Sequence, residues 1–544
     1  MILLVISLAP FANKAFHVDD TLFIYSARHI THDPFRPYDF TVNWTGFKEP
    51  AWSANRNPPV SSYILSVLIK IFSEREAPLH ICYIIFPVIC MAALYYLSGS
   101  FIKNKALACL FLFISPGFFV SSTNLMSDIP QLAFYLAALA FYIFGFEKNK
   151  RIFFVLSGIC AGLAILTKYT AVTIIFIFLL YNLIFKKSFR ISWLSFAVSL
   201  CMLAFWGMWC IYSNKTPHFL TIFSSGCAFF WEKKSPIKAL SVNLSEFIVF
   251  LSACSLVIVF FGLGTPGRKK SKSLLSWLVI FLISAALTTV TRHAFRSPEN
   301  KLEYLFVFLF IMLGIMFLRN CLLYLKTHAN DTRFLFLFIW FVINSCIAVP
   351  NYTIAARFIL PVLPPLVLLL IYLAETNNVS HKFFGKGAYA VYMIIFAVTI
   401  LVAHSDYCFA NSYRNFSRVV RQTFPGKRIF FVGHWGFQYY MEKEGFEALD
   451  FEKASLRKGD MVIIASSTSG MYSDALVKLM QPYRLYEDKK RGIFTLMYPD
   501  KAGFYSGGYG PLPYMPPSGF AEQYQVYEVE TSYDGKLPQK NYLL

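Results

Sequence analysis

Asp19 and Asp20 stand side by side in a polar and aromatic stretch, His17 to Phe72, lodged between a short apolar start and the first full apolar run. Two adjacent carboxylates just ahead of a helical stretch, Thr21 to Ile30, allow two readings. An Asp in that place is a favoured helix cap, which accounts for one of them. A carboxylate beside Arg, His and aromatic residues can also take the proton of a hydroxyl nucleophile. Asp128, in Ser127-Asp128-Ile129-Pro130, opens a later apolar run, where stabilising the positive end of a helix dipole is the alternative to chemistry. The cations that could serve such carboxylates are few. Lys168 falls in a short turn between two apolar runs, Arg292, His293 and Arg296 form a small basic cluster, and Arg357 precedes Phe358-Ile359-Leu360-Pro361. An Arg grips phosphate oxygens in a fork and a Lys offers a point charge. Taken singly, each is more simply explained by a long side chain reaching to lipid headgroups. Arg56 and Asn57 precede Pro58-Pro59, which sets up a helix over Val60 to Phe72, since Pro is tolerated in a first turn. Its apolar residues recur at helical spacing, as in a helix lying in a membrane interface or in an amphipathic connector.

The elements that must position these residues are membrane spans. Hydrophobic residues make up 56% of the 544 and mean hydropathy is +0.52. Runs of about 20 apolar residues recur, each enough to cross ~30 Å of hydrocarbon. With a half-length first run, Met1 to Phe11, which suggests a truncated first helix, the pattern gives about 13 transmembrane helices. The net charge of +20 is loop charge, because residues from 405 onward hold 17 Lys and Arg against 15 Asp and Glu, leaving +18 in the membrane part. That distribution speaks for topology and against nucleic-acid binding. Alternate loops are rich in Lys and Arg and are assigned to the cytoplasm. The Asp19-Asp20 loop, the approach to Asp128, Lys168, the Arg292 loop, Arg357 and the tail then share the outer side. The 11 cysteines are scattered without a CxxC pair, so neither a disulfide framework nor a zinc site is implied.

The chain divides into a membrane domain, 1–404, with a first outer loop at 13–78, and a tail, 405–544. In the tail, apolar runs at Arg428 to Val432 and Met461 to Ala465 are each followed by helical stretches, Phe437 to Lys443 and Asp474 to Met480. A strand-like Gly492 to Met497 comes next. Such alternation predicts a soluble C-terminal α/β domain.

The order of Asp19-Asp20, the Pro58-Pro59 helix, Ser127-Asp128-Ile129-Pro130, Gly162-Leu163-Ala164-Ile165-Leu166-Thr167-Lys168 and Ala356-Arg357-Phe358-Ile359-Leu360-Pro361-Val362-Leu363-Pro364 resembles the GT-C superfamily of glycosyltransferases. Within it, the chain is similar to the family 39 branch of protein O-mannosyltransferases and lipid A aminoarabinose transferases. The likeness runs from residue 13 to about 370, with Gly433-His434-Trp435-Gly436 a weaker point in the tail. It implies a GT-C fold and an enzyme of the plasma (inner) membrane. That enzyme moves a sugar from a polyprenyl-phosphate donor to a glycolipid, polysaccharide or protein hydroxyl at the outer face. The family's loop aspartate corresponds to Asp19, its second-loop acid to Asp128, and Asp20 stands where many relatives carry Glu. Relatives commonly have Lys, Glu-Lys or His before the Pro-Pro pair, where this chain departs with Arg56-Asn57, which leaves open whether Arg56 or Asn57 plays the donor-contacting part. On this reading Lys168 and Arg357, assisted by Arg292 or Arg296, hold the leaving phosphate, Asp19 is the base of an inverting transfer, and Asp20 or Asp128 orients the acceptor or sugar hydroxyls. No cofactor is implied, and a divalent cation is left open without a ligand set to indicate one. The rival is a secondary transporter or lipid flippase. Transporters place ionisable residues at the bilayer midplane, whereas here they gather at one surface.

Overall fold

The computed structural model describes the chain apart from residues 215, 221–235, 262–269, 295–300, 352, 378–379, 469–470, 490–491, 499–500, 517–521, 539 and 542–544. Among the described residues, six helices are long and apolar enough to cross a membrane: Glu76–Ser98, Asp128–Lys148, Phe189–Ser213, Lys301–Thr327, Ala356–Thr376 and Lys386–Thr423. Shorter apolar helices accompany them, including Ile2–Phe11, Arg151–Thr167 and Tyr169–Ile184. Helices satisfy their own backbone groups, as hydrocarbon requires. The chain is a polytopic helical membrane protein.

One apolar run is broken. Residues 106–120 form two short helices, Lys105–Phe113 and Pro116–Ser121, because Ser115 precedes a proline and takes an extended conformation. The break frees the carbonyl of Ile114, which accepts a hydrogen bond from Thr399 Oγ1 at 2.7 Å.

The first loop is ordered throughout. Helix Asp20–His32 leads to a small antiparallel hairpin, Thr41–Asn43 with Lys48–Pro50, and then to helix Val60–Phe72, which has the expected bounds. At the other end of the membrane part, helix Lys386–Thr423 runs for 38 residues without interruption, straight through position 404.

Beyond it lies a five-stranded mixed sheet in the order Glu447–Ala448, Ile429–Val432, Met461–Ala465, Glu522–Val529, Met480–Asp488. The first three strands are parallel, and Glu522–Val529 runs antiparallel to both its neighbours. Helix Trp435–Lys443 follows its strand as expected. The expected helix at 474–480 is only Asp474–Val477, and a nine-residue strand begins at Met480. Residues 492–497 do not join the sheet. Gly492 lies against Ser405 of the long helix, whose hydroxyl accepts a hydrogen bond from the Phe494 amide at 3.0 Å.

The tail is fastened to the first loop. A Cβ at Gly436 would sit 2.4 Å from the Phe16 carbonyl oxygen, so only glycine permits this approach. The Phe16 amide donates to Tyr440 Oη at 3.0 Å, and Tyr440 donates to Glu76 at 3.0 Å. Arg28 forks onto Glu74 with both contacts at 2.6 Å, Tyr439 donates to Glu74 at 2.8 Å, and Tyr25 donates to Glu442 at 2.7 Å. On the hairpin side, Asn43 Nδ2 donates to the Leu449 carbonyl at 3.0 Å and the Phe451 amide to the Gly46 carbonyl at 2.8 Å.

Candidate active site

The two adjacent aspartates part company. Asp19 occupies the cap position of helix Asp20–His32, yet its side chain makes no capping hydrogen bond. Its Oδ2 pairs instead with Arg357 Nη1, from the start of another helix, and both side chains keep about a fifth to a quarter of their surface open, at 21% and 25%. Val18, immediately before it, has φ = 48°, a left-handed conformation that a β-branched residue adopts only under strain. Asp20 points the other way and is fully buried. Its Oδ1 accepts the Leu125 amide at 2.9 Å and its Oδ2 the His17 amide at 3.2 Å, which ties the second loop to the first. Burial pushes its carboxyl up to about 7.

A second pair lies beside the first. Asp128, in the opening turn of its helix, holds Lys168 Nζ at 2.5 Å, with the two side chains 5% and 13% exposed. Lys168 ends helix Arg151–Thr167 in an extended conformation, which turns its side chain back toward Asp128. Both cations lie over the ring of Phe358, Lys168 Nζ at 5.2 Å and the Arg357 guanidinium at 5.5 Å from its centroid. The pairs also feel one another's charges, Arg357 sensing Asp128 and Lys168 sensing Asp19. Four segments far apart in sequence thus converge in a four-charge cluster. Among the described residues nothing accepts a hydrogen bond from the buried Nε of Arg357, so its guanidinium has donor capacity to spare.

The remaining expected site residues lie apart or outside the described residues. Arg56 is exposed. Asn57 is half-buried, its amide donating to Asn55 Oδ1 at 3.2 Å and its carbonyl accepting from Tyr38 at 2.5 Å. The side chain of Arg292 and all of Arg296 are outside the described residues. Among the described residues no cluster of three His, Cys, Asp or Glu is arranged to hold a metal ion.

Two groups escaped the sequence reading. Behind Asp20, the fully buried Lys14 pairs with Asp406 of the long helix and donates to Asn124 and, at 3.2 Å, to Thr123. Asp406 accepts from Tyr505 of the tail at 2.8 Å, and His17 Nε2 lies 3.4 Å from its other oxygen. In front of Asp19, the tail brings His434 within electrostatic reach of that carboxylate, and burial lowers the imidazole to about 4. Its ring meets Trp44 of the first-loop hairpin at 5.3 Å and Trp435 at 4.7 Å. Lys14 lies in a short polar interruption after an apolar run, a signal too common to single it out. The motif around His434 carried only a weak likeness and no placement.

A helical membrane protein with paired carboxylates and cations gathered from its loops is the class these features define. Residues 56–209, more than a quarter of the chain, match the family model described as dolichyl-phosphate-mannose-protein mannosyltransferase. The match bears out the resemblance to GT-C superfamily glycosyltransferases, over the segment that carries Arg56, Asn57, Asp128 and Lys168. No curated protein sequence matches the chain significantly. Among solved structures, the chain is similar to ArnT from Cupriavidus metallidurans, both in the apo state and bound to undecaprenyl phosphate. Identity is 13% in each case, covering 89% of this chain and 95% of that one, with TM-scores of 0.41 and 0.45. It is also similar to the arabinofuranosyltransferase AftD from Mycobacteria at 11% identity and a TM-score of 0.38, covering 97% of this chain and 41% of that one.

Proposed function

We propose that the chain is an inverting glycosyltransferase of about 13 membrane crossings. It moves a sugar from a polyprenyl-phosphate donor to an acceptor hydroxyl on a glycolipid, polysaccharide or protein at the extracytoplasmic face of the plasma (inner) membrane. In this reading residues 1–404 form the catalytic membrane domain and 405–544 an extracytoplasmic tail packed on its first loop. The observation that carries it is the pairing of Asp19 with Arg357 beside that of Asp128 with Lys168, with the Nε donor of the guanidinium left unused.

A phosphate monoester leaves without being protonated, so cations that hold its charge are needed rather than a general acid. Arg357 and Lys168 supply them. Asp128 positions Lys168 by its ion pair. When the donor phosphate takes up donors of Arg357, Asp19 gives up its partner and becomes free to accept a proton. The acceptor oxygen then attacks the anomeric carbon from the face opposite the phosphate. Its proton passes to Asp19, the carbon–oxygen bond to phosphate breaks, and the configuration inverts. One base and no enzyme nucleophile suffice, as in inverting glycoside hydrolysis. Asp20 keeps the base aimed by anchoring the start of its helix.

The test is transfer of radiolabelled sugar from a panel of undecaprenyl-phosphate sugars by purified protein in detergent, with crude envelope as acceptor. Wild type transfers label, and Asp19→Asn, monodisperse by size exclusion, loses about a hundredfold or more of that rate. Turnover at the wild-type rate by Asp19→Asn would refute the assignment of the base.

A further inference from the structure

We propose that Trp44 and His434 form a carbohydrate-stacking subsite beside Asp19, built jointly by the first loop and the tail, that binds the ring of a sugar in donor or acceptor. The inference rests on the transferase reading and names the part of the site that reads sugar.

Three observations carry it. The first is placement: His434 lies within electrostatic reach of Asp19, and the edge-to-face arrangement with Trp44 puts two rings at one spot. Both residues are half-buried rather than sealed in the core. A sugar presents a face of C–H groups that packs on an aromatic ring and a rim of hydroxyls that need polar partners. Indole and imidazole supply the first and Asp19 the second.

The second is that the rings are held from both sides. The hairpin that carries Trp44 is fixed to the tail by Asn43 with Leu449 and by Gly46 with Phe451. Trp435, the next residue after His434, packs at 6.2 Å from Tyr509, whose hydroxyl donates to the Ser467 carbonyl at 2.6 Å. The third is backbone strain in this turn. Gly433 has φ = 141°, and a Cβ there would meet Thr468 Oγ1 at 2.4 Å, while Trp435 adopts φ = 61°. A bulky residue in the left-handed region persists only where its surroundings hold it, and such positions cluster at ligand sites.

The experiment titrates purified wild type, Trp44→Ala, Trp44→Phe and His434→Ala with three probes: undecaprenyl phosphate, undecaprenyl-phosphate mannose or arabinose, and detergent-solubilised lipopolysaccharide. Retained wild-type elution and unfolding midpoint certify each variant's fold. Wild type is expected to bind at least one sugar-bearing probe more tightly than the bare lipid phosphate. Trp44→Ala and His434→Ala should each weaken that probe about five- to tenfold, with Trp44→Phe restoring most of it and binding of undecaprenyl phosphate unchanged. A loss confined to the lipid-linked sugar places the donor sugar on the platform, and a loss confined to lipopolysaccharide places the acceptor there. Bare lipid phosphate that binds as well as every sugar-bearing probe, or variants that lose nothing, would overturn this proposal and leave the transferase reading standing. Failure of wild type to bind any of the three would overturn both.

Discussion

Replacing Asp20 by Asn separates its anchoring part from the chemistry of its neighbour, and the expected size follows from its surroundings. The carboxyl is fully buried and raised from 3.8 to about 7. Its proton is therefore held more tightly in the folded protein than in the unfolded chain. The stability this brings is complete below pH 4 and is lost as pH rises through 7. Each tenfold in proton affinity is worth about 1.4 kcal/mol, so the ionised side chain costs ~4 kcal/mol above pH 8. Asparagine cannot ionise and keeps one acceptor oxygen for the Leu125 amide, but it turns an NH2 toward the His17 amide. Leaving that buried donor unmatched costs about 1–3 kcal/mol at every pH. The two terms oppose each other with different pH dependence, so the curves should cross. At pH 4 Asp20→Asn unfolds at a lower temperature than wild type. At pH 8.5 it is at least as stable. The measurement is the apparent unfolding midpoint in detergent from pH 4 to 8.5. Parallel curves, or a wild type whose advantage grows with pH, would refute the burial argument.

Arg357→Lys keeps the charge but loses the fork, so KM for the lipid-linked donor should rise about tenfold with a smaller change in kcat. An unchanged KM would remove Arg357 from phosphate binding. Gly436→Ala puts a methyl group 2.4 Å from the Phe16 carbonyl oxygen and should cost about 1–3 kcal/mol. Limited proteolysis should then release the tail sooner than in wild type, whereas equal cleavage rates would show that the contact gives way freely.

Much of the frame was legible because bilayers impose long apolar runs, and the helix at 60–72 because Pro58-Pro59 fixes its start. The strands at 480–488 and 522–529 were missed because they carry many polar residues. In the second, inward-facing Glu522, Tyr524 and Val526 alternate with outward ones, a period-two signal masked by a buried acid at its head. Glu522 is tolerated there because Ser466 Oγ donates to it at 2.7 Å and the Ser467 amide at 3.1 Å. At the site, residue types identified Asp19, Asp128, Lys168 and Arg357 as candidates. They did not reveal which acid takes which cation, since the pairs span up to 338 positions in sequence. Nor could adjacent aspartates be told apart, because what separates them, Arg357 against one and the Leu125 and His17 amides against the other, leaves no mark in composition. Lys14 with Asp406 was invisible for the same reason: a buried ion pair is a fact of packing.

The 38-residue helix Lys386–Thr423 measures ~57 Å at 1.5 Å per residue, nearly twice the ~30 Å of a hydrocarbon core. Its lipid-side half and the half that seats the tail are one rigid rod, with Asp406 and Ser405 clamped near its middle. The tail's height and heading relative to the bilayer are therefore set like a mast stepped through a deck. Each residue added to the rod would lift what lies beyond it by ~1.5 Å and swing it by ~100°. His434 would then leave Asp19.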